Sequence, residues 1–506
     1  MRGEYCRGMS PTSPRRVRGV VAAVLAVALA TLTSACVRPV RPAPPPSPPP
    51  VTTTAPAAGH EPGWSQPKAD PLYPDYGNPD LDVLSYQLTL AWTPATDTLT
   101  GTAKLIIRPT TDVTELSLDF ADSYTVDGSS VDGVNEKAGR RGNDIVVPAG
   151  RTLTRNTHTT LVVTYHGVPR QVPFPSNRSD AAEGLGLRPT KDHEAWTMQE
   201  PYGAATWYPV NDHPSDEALY DISVTVPDGW TAVASGTPSG STTSASGVTF
   251  RYTSTDPVAS YLVTLAIGHY TRMDATGPGG TPITSWLRTG KDEAFAPAVV
   301  RLPELLSWLT DHFGPYPFPT AGVVFVDSNS AMETQQMVTM GAQLNPNIPV
   351  VTEVLLHELS HQWFGDAVTP TDWLGLWLNE GFAMYAEMLW TIDQKRYTEA
   401  QWVSSSVTGD KRSRAAAGPP GHPRVGHFAE NNVYLGPALM LREIKLRVGD
   451  AEFFAMARDW VQTQRNQPVD RDGFVAFVNR HTGQDLTALI NEWLDSPTTP
   501  TATPVH

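Results

Sequence analysis

Two histidines stand four residues apart in HELSHQWFGDAVTPTDWLGLWLNEGFA (residues 357–383), and eighteen residues separate the second of them from a glutamate. Side chains four apart on a helix project from one face, so His357 and His361 can grip one ion while Glu358 lies beside it. By itself this pattern is weak, since paired histidines also occur as ordinary surface or core residues. Glu380, within the helix-patterned LWLNEGFAMYAEML, follows a loop long enough for the chain to turn back antiparallel, and it supplies a third ligand. Two imidazoles and a carboxylate leave one tetrahedral position of a zinc ion open, as in a catalytic rather than a structural site. Glu358 is then placed to take a proton from water and pass it to a leaving amine, which makes the chemistry metal-assisted amide hydrolysis. Glu387, seven residues past Glu380, falls two turns along the same face and is either an outer acceptor for a ligand histidine or a solvated helix residue.

Composition bounds what surrounds this site. The chain has 506 residues, 40% of them hydrophobic, with a formal charge of −15 and only two cysteines, Cys6 and Cys36. That length suits two or three domains. The acidic balance, without clustered Lys and Arg, disfavours nucleic acid and suits a cationic substrate such as a peptide with a free amino end. Thiolate ligands and a disulfide framework are excluded from the folded part. Residues 1–35 read as an export signal, with Arg15, Arg16 and Arg18 ahead of an apolar run too short for a comfortable membrane span. The junction LTSAC resembles a bacterial lipobox, in which Cys36 becomes lipidated and anchors the protein outside the cell; simple cleavage near Ala35 and secretion is the alternative. Residues 36–76, rich in proline, read as a disordered tether.

The elements that must position the site follow. Tyr86, Leu88, Leu90 and Trp92 alternate with polar residues, as do Leu99, Gly101, Ala103, Leu105 and Ile107, and similar runs recur in TLVVTY and DISVTV. Residues 77–270 therefore form an all-β sheet domain. From about 271 to 495 the period turns helical, beginning in AVVRLPELLSWLTDHFG, with AGVVFVD as a buried strand, and residues 496–506 read as a disordered tail. The fold class is α+β and multidomain.

The zinc motif with LWLNEGFA resembles the gluzincin aminopeptidases of peptidase family M1, of the aminopeptidase N type. The likeness continues in order through GNPDLDV, LTGTAKL, EPYGAATWYPVNDHPSD, YLVTLAIG, FGPYPFP, SAMET and VYLGPALML. It implies a thermolysin-like, mostly helical catalytic domain, one Zn2+, and peptide substrates with a free amino end. In such a family the loop GxMEN binds the substrate's α-amino group through its glutamate. Here it reads SAMET, which assigns that role to Glu333, with Glu200 of QEPYG as the second carboxylate. The resemblance also assigns Tyr434 of VYLGP to the oxyanion; Ala331 and Met332 then either shape the floor of the pocket for the first residue or serve only to pack the loop. Ser330 and Thr334 depart from the loop's glycine and asparagine. The large helical carboxy-terminal domain of many relatives has no counterpart in this sequence, which implies a more open cleft.

Two rival readings accompany a zinc aminopeptidase. An open gluzincin could cut peptides internally or hydrolyse a non-peptide substrate, against which Glu333 argues. A catalytically inactive, peptide-binding surface lipoprotein would not need all three ligands, Glu358 and Tyr434 together.

Overall fold

The computed structural model describes residues 61–505. The signal segment, Cys36 and the tether up to residue 60 lie outside the described residues. Alternation in the sequence becomes a large sheet whose spine is Leu81–Thr93, paired antiparallel with Thr98–Pro109 and parallel with Glu217–Val226. Leu88 lies in register between Ala103 and Ile222, all three without solvent contact, while Gln87 and Thr89 face water. A one-residue slip would turn that apolar set outward, which pins the register. Thr159–Gly167 and Tyr124–Val131 extend the sheet on one side, Gly247–Thr253 and Thr237–Ser244 on the other.

A smaller sheet, ordered Thr231–Ala234, Leu265–Gly268, Ala195–Met198 and Gly186–Pro189, carries the chain to Gln199 and Glu200. This all-β part is followed by a mostly helical one built on a five-stranded mixed sheet, ordered Tyr270–Thr276, Pro282–Arg288, Ala321–Val326, Val338–Gly341 and Ala331–Met332. Only Ala321–Val326 was legible as a strand in the helical half. Its neighbour Val338–Gly341 and the edge strand Ala331–Met332 beyond it span four and two residues, too short for a period to show. Two helices, Ile348–His361 and Leu376–Asp393, pack together and carry the histidine motif and Glu380, and a third, Leu435–Val448, packs on the second.

Both segments expected to be disordered are corrected where they are described. Residues 61–76 pack on the body: Ser65 donates its N–H to Asp82, Arg108 donates to Ser65 O at 2.6 Å, and the Arg108 guanidinium covers Trp64 at 4.6 Å. Asp70 accepts from Trp373 N at 2.8 Å, and the Tyr76 ring stacks on Tyr202 at 4.0 Å. Three aromatic residues and a buried carboxylate in this stretch give it the apolar area and hydrogen bonds that a proline tether lacks. The tail is held likewise: Thr499 Oγ1 donates to Asp410 at 2.5 Å, and Thr503 donates N–H and Oγ1–H to Glu443 at 3.0 Å and 2.5 Å. Its threonines and carbonyls satisfy buried charges that would otherwise be left unpaired.

One of those charges supports the third helix. Arg414 and Asp410 form a fully buried pair at 2.6 Å, and Arg414 also caps Trp493 O and Ser496 O at 2.8 Å. A Cβ on Gly436 would come within 2.6 Å of both side chains, so the pair lies directly under the start of that helix. Arg414→Ala leaves Asp410 buried without its cation, and a loss of about 3–5 kcal/mol in unfolding free energy is expected. Urea denaturation checks it; a loss under about 1 kcal/mol, as for an exposed pair, would be incompatible with that role.

Candidate active site

The helix Ile348–His361 starts after Asn347, with Pro349 in its first turn, and its face toward the core carries Leu355, Leu356 and Leu359. His357, Glu358 and His361 are buried as well, so this helix ends inside the protein. It leaves α geometry at once through a wide turn over Gln362–Asp366, where Gly365 takes φ 134°. That conformation is strained for a residue with a side chain, and a Cβ there would press on Asn379 and His361 at 3.3–3.4 Å. The turn brings Phe364 O to 3.1 Å from His361 Nδ1. A proton on Nδ1 serves that carbonyl and leaves Nε2 as a lone-pair donor.

Glu380 enters from the neighbouring helix. Its Oε2 lies 3.2 Å from His357 Nε2 and 3.4 Å from His361 Nε2, so both imidazoles converge on one carboxylate oxygen. Glu387 Oε2 lies 3.3 Å from His357 Nδ1, the side away from this focus. Two nitrogens and one anionic oxygen, converging within 4.8 Å and without sulfur, fit a zinc ion. Burial alone would raise the Glu380 pKa, but the two imidazoles hold it well below the usual carboxylate range. Burial lowers the affinity of His357 for a proton, and Glu380 and Glu387 outweigh it, pushing its pKa up to about 10.

Glu358 lies beside this focus: its carboxylate, that of Glu333 and the His361 ring come together within 4.8 Å. Burial pushes the Glu358 pKa up to about 7 against the pull of His357 and His361. Glu333 follows the two-residue edge strand and is 4% exposed. Gln362, next to His361, donates to Glu333 O at 2.8 Å and accepts from Gln336 N at 2.8 Å, fastening the loop to the end of the histidine helix. Thr334, at the position of the expected asparagine, closes the loop with hydrogen bonds to Met337 O and the Thr339 hydroxyl. Met332 is buried in the core and Ala331 is half-buried at the strand edge.

Glu200 reaches the cleft from the β part. Gln199 orients this stretch by donating to Ser260 O and Val263 O at 2.7 Å. Burial raises the pKa of Glu200 well above the ordinary carboxylate value, and the negative charge of Glu333 adds to it. One oxygen of Glu200 and one of Glu333 are buried with no hydrogen-bond partner. Two carboxylates in that state form a receptor for a cation with hydrogen-bond donors.

Tyr434 precedes the third helix, its ring stacked on that of His357 with centroids 5.9 Å apart. Gly381 allows this approach, since a Cβ there would meet the Pro437 ring at 2.6 Å. Burial and the nearby Glu380 charge push the Tyr434 pKa well up, with Arg178 pulling the other way, so its hydroxyl stays protonated and able to donate. Arg178 and Gln362 were missed at the sequence level. Gln362 adjoins the motif but has no ligand chemistry of its own, and Arg178 lies in PSNRSD, which reads as a plain polar loop.

Two histidines one turn apart and a glutamate from an adjoining helix, beside a mixed sheet whose edge strand borders the cleft, form the ligand arrangement of a gluzincin-type metal site. A profile of the Peptidase M1 N-terminal domain matches residues 83–262, and one of the Peptidase family M1 domain matches residues 298–493. The chain belongs to peptidase family M1. It is similar to an M1 zinc metallopeptidase from Deinococcus radiodurans at TM-score 0.77 and 28% identity, over 86% of this chain and 99% of that one. A mutant of that enzyme bound to a Tyr-Ser-Ala substrate superposes equally well, with the same identity and coverage. Aminopeptidase M1-A of Oryza sativa subsp. japonica is 24% identical over 61% of this chain, and aminopeptidase N of Bos taurus is 29% identical over 41%. The chain spans 37% of the former's length and 23% of the latter's.

With Glu387 replaced by Gln, the His357 ring loses its anionic neighbour while the three ligands remain. Zinc affinity, measured by chelator competition, is expected to fall by about 10–100-fold; an unchanged affinity would make Glu387 a solvated helix residue only.

Proposed function

We propose that this protein is a zinc aminopeptidase that removes residues one at a time from the amino end of peptides. The observation that carries the reading is the pair of unpartnered, buried oxygens of Glu333 and Glu200 beside the convergent histidines. An ammonium group is the counterpart this pair lacks, and a peptide whose amino end is held there presents its first peptide bond to Glu358. The reading is supported by the relatives, which are named aminopeptidases, and by M1 structures bound to L-arginine and L-tryptophan.

His357, His361 and Glu380 would hold the zinc ion. When bound, it supplies Lewis acidity toward water and the substrate carbonyl. Glu358 takes the proton from the attacking water and delivers it to the leaving nitrogen. Tyr434 donates its hydroxyl hydrogen to the developing oxyanion. One such donor is worth on the order of 3 kcal/mol. Glu333 and Glu200 neutralise the substrate's ammonium and so restrict cleavage to the first bond, while Ala331, at the open edge of the strand, borders the first side chain and Met332 backs it.

Hydrolysis of amino-acid anilides with free and with acetylated amino groups separates this reading from an endopeptidase or a non-peptide hydrolase. The free form is expected to be cut and the acetylated form to be resistant; equal rates for both would refute the exopeptidase assignment. In the same assay Glu358→Gln is expected to keep its zinc and lose roughly 10²–10⁴-fold in kcat, and retained activity would remove Glu358 from the base role. This also decides against an inactive binding protein.

Export and anchoring through Cys36 belong to the same proposal and rest on the LTSAC junction. No helix among the described residues is long and apolar enough to cross a membrane. Full-length protein expressed in a bacterium is expected to incorporate labelled fatty acid and to sediment with membranes, and Cys36→Ser to do neither. Equal behaviour of the two would leave Cys36 incidental.

A further inference from the structure

Between the strands Thr159–Gly167 and Gly186–Pro189 of the β part, a loop over residues 168–185 crosses to the catalytic part and touches two segments that carry site residues. On one side Pro175 O accepts from Phe428 N at 2.9 Å, and Asn177 donates to Glu430 at 3.2 Å. On the other, Glu183 accepts from Ser328 Oγ at 2.6 Å and from Asn329 N at 2.9 Å. The first segment leads into Tyr434, the second into Glu333.

Arg178 stands between them. Its Nε and Nη2 donate to the two carboxylate oxygens of Asp180 at 3.1 Å and 2.8 Å, and its Nη1 donates to Ala429 O at 3.3 Å and to the Tyr434 hydroxyl oxygen at 3.2 Å. Ser330 closes the circuit: its hydroxyl donates to Asp180 Oδ2 at 2.6 Å and accepts from Arg178 Nη2 at 3.4 Å. Asp180 is buried, so the circuit is anchored away from solvent even though the Arg178 side chain is partly exposed.

A tyrosine hydroxyl has one hydrogen to give and lone pairs that accept. A guanidinium donating to its oxygen occupies a lone pair, turns the O–H away from itself, and strengthens it as a donor, because hydrogen bonds in a chain polarise one another. Asp180 takes two arms of the fork and Ala429 O shares the third, so Arg178 has little freedom to swing onto a substrate.

We propose that Arg178 is a positioning residue for the oxyanion-donating hydroxyl of Tyr434, and that Asp180 and Ser330 hold it in place and tie that hydroxyl to the loop bearing Glu333. The proposal rests on the oxyanion role given to Tyr434 above. It also accounts for Ser330 at the position where the related loop pattern has glycine: the hydroxyl is the link between Asp180 and the amine-binding loop, which a glycine could not supply.

A double-mutant cycle tests it, using zinc-loaded protein and a free-amine amino-acid 4-nitroanilide, whose leaving group has no carboxylate for Arg178 to bind. Arg178→Gln is expected to lower kcat roughly tenfold or more, with KM within about twofold, since the Tyr434 hydroxyl that Arg178 orients donates to the substrate only once the oxyanion forms. Arg178→Lys is expected to recover part of the loss, and Ser330→Gly to lower kcat severalfold. In a Tyr434→Phe background neither Arg178→Gln nor Ser330→Gly should lower kcat further. If Tyr434→Phe is impaired and Arg178→Gln costs the same factor in both backgrounds, the positioning role is overturned and the reading of Tyr434 stands. If Tyr434→Phe retains full kcat, both fall. Thermal midpoint and zinc content are measured on each variant, and a kcat loss that merely follows lost zinc or lost fold overturns the proposal. So does a defect confined to KM and to peptides with a free carboxy end, compared with their amides, because Arg178 would then be a substrate carboxylate contact.

Discussion

Everything in this cleft depends on holding several ionisable groups in one dry place. His357, His361, Glu358, Glu380 and Glu333 are all buried, in two trios that share His361 and each converge within 4.8 Å, and like charges among the carboxylates repel at an effective dielectric well below that of water. A soft scaffold would relax by letting one of them out to solvent. Here the backbone forbids it: the histidines sit on a helix that ends in the core, Glu380 on a second helix packed against it, and Glu333 on a loop tied down by Gln362. In the function proposed above, that strain becomes affinity for two kinds of cation, a divalent ion at the histidines and an ammonium at the carboxylate pair.

The β part is a component of this site rather than a stand beneath it. It contributes Glu200 directly, and through Arg178 and Glu183 it touches both the Tyr434 segment and the Glu333 loop. The stretch from residue 61 to 76 adds a further brace, with Asp70 on Trp373 N and Tyr73 packed edge-on against Phe428. Catalytic geometry therefore depends on packing between two parts that a domain diagram would draw as separate.

Much of this was legible in the chain because it is periodic or local. Tyr86, Leu88, Leu90 and Trp92 announced a half-buried strand through a period of two, and Pro437 and Gly449 marked the ends of a helix whose described span is Leu435–Val448. The candidate metal trio was legible because helical spacing places His357 and His361 on one face, and because a loop long enough to turn back precedes the second helical pattern, which carries Glu380. What escaped has physical reasons. Strands of two and four residues, such as Ala331–Met332 and Val338–Gly341, are too short to show alternation. The segments 61–76 and 496–505 have loop composition, and their order comes from partners between 17 and 303 residues away in the first case and about sixty to ninety in the second.

The order of residues alone determined the reaction chemistry, since the ligand types, their spacing on a helix and the adjacent Glu358 are properties of a local stretch governed by the 3.6-residue turn. Tertiary structure decided which charges meet: that Glu200 and Glu333, 133 positions apart, both leave an oxygen unpaired in one cleft, and that Arg178 lies against Tyr434, 256 positions away. Such encounters are set by how sheets and helices pack, through burial and excluded volume summed over the whole core. No spacing in the chain encodes them.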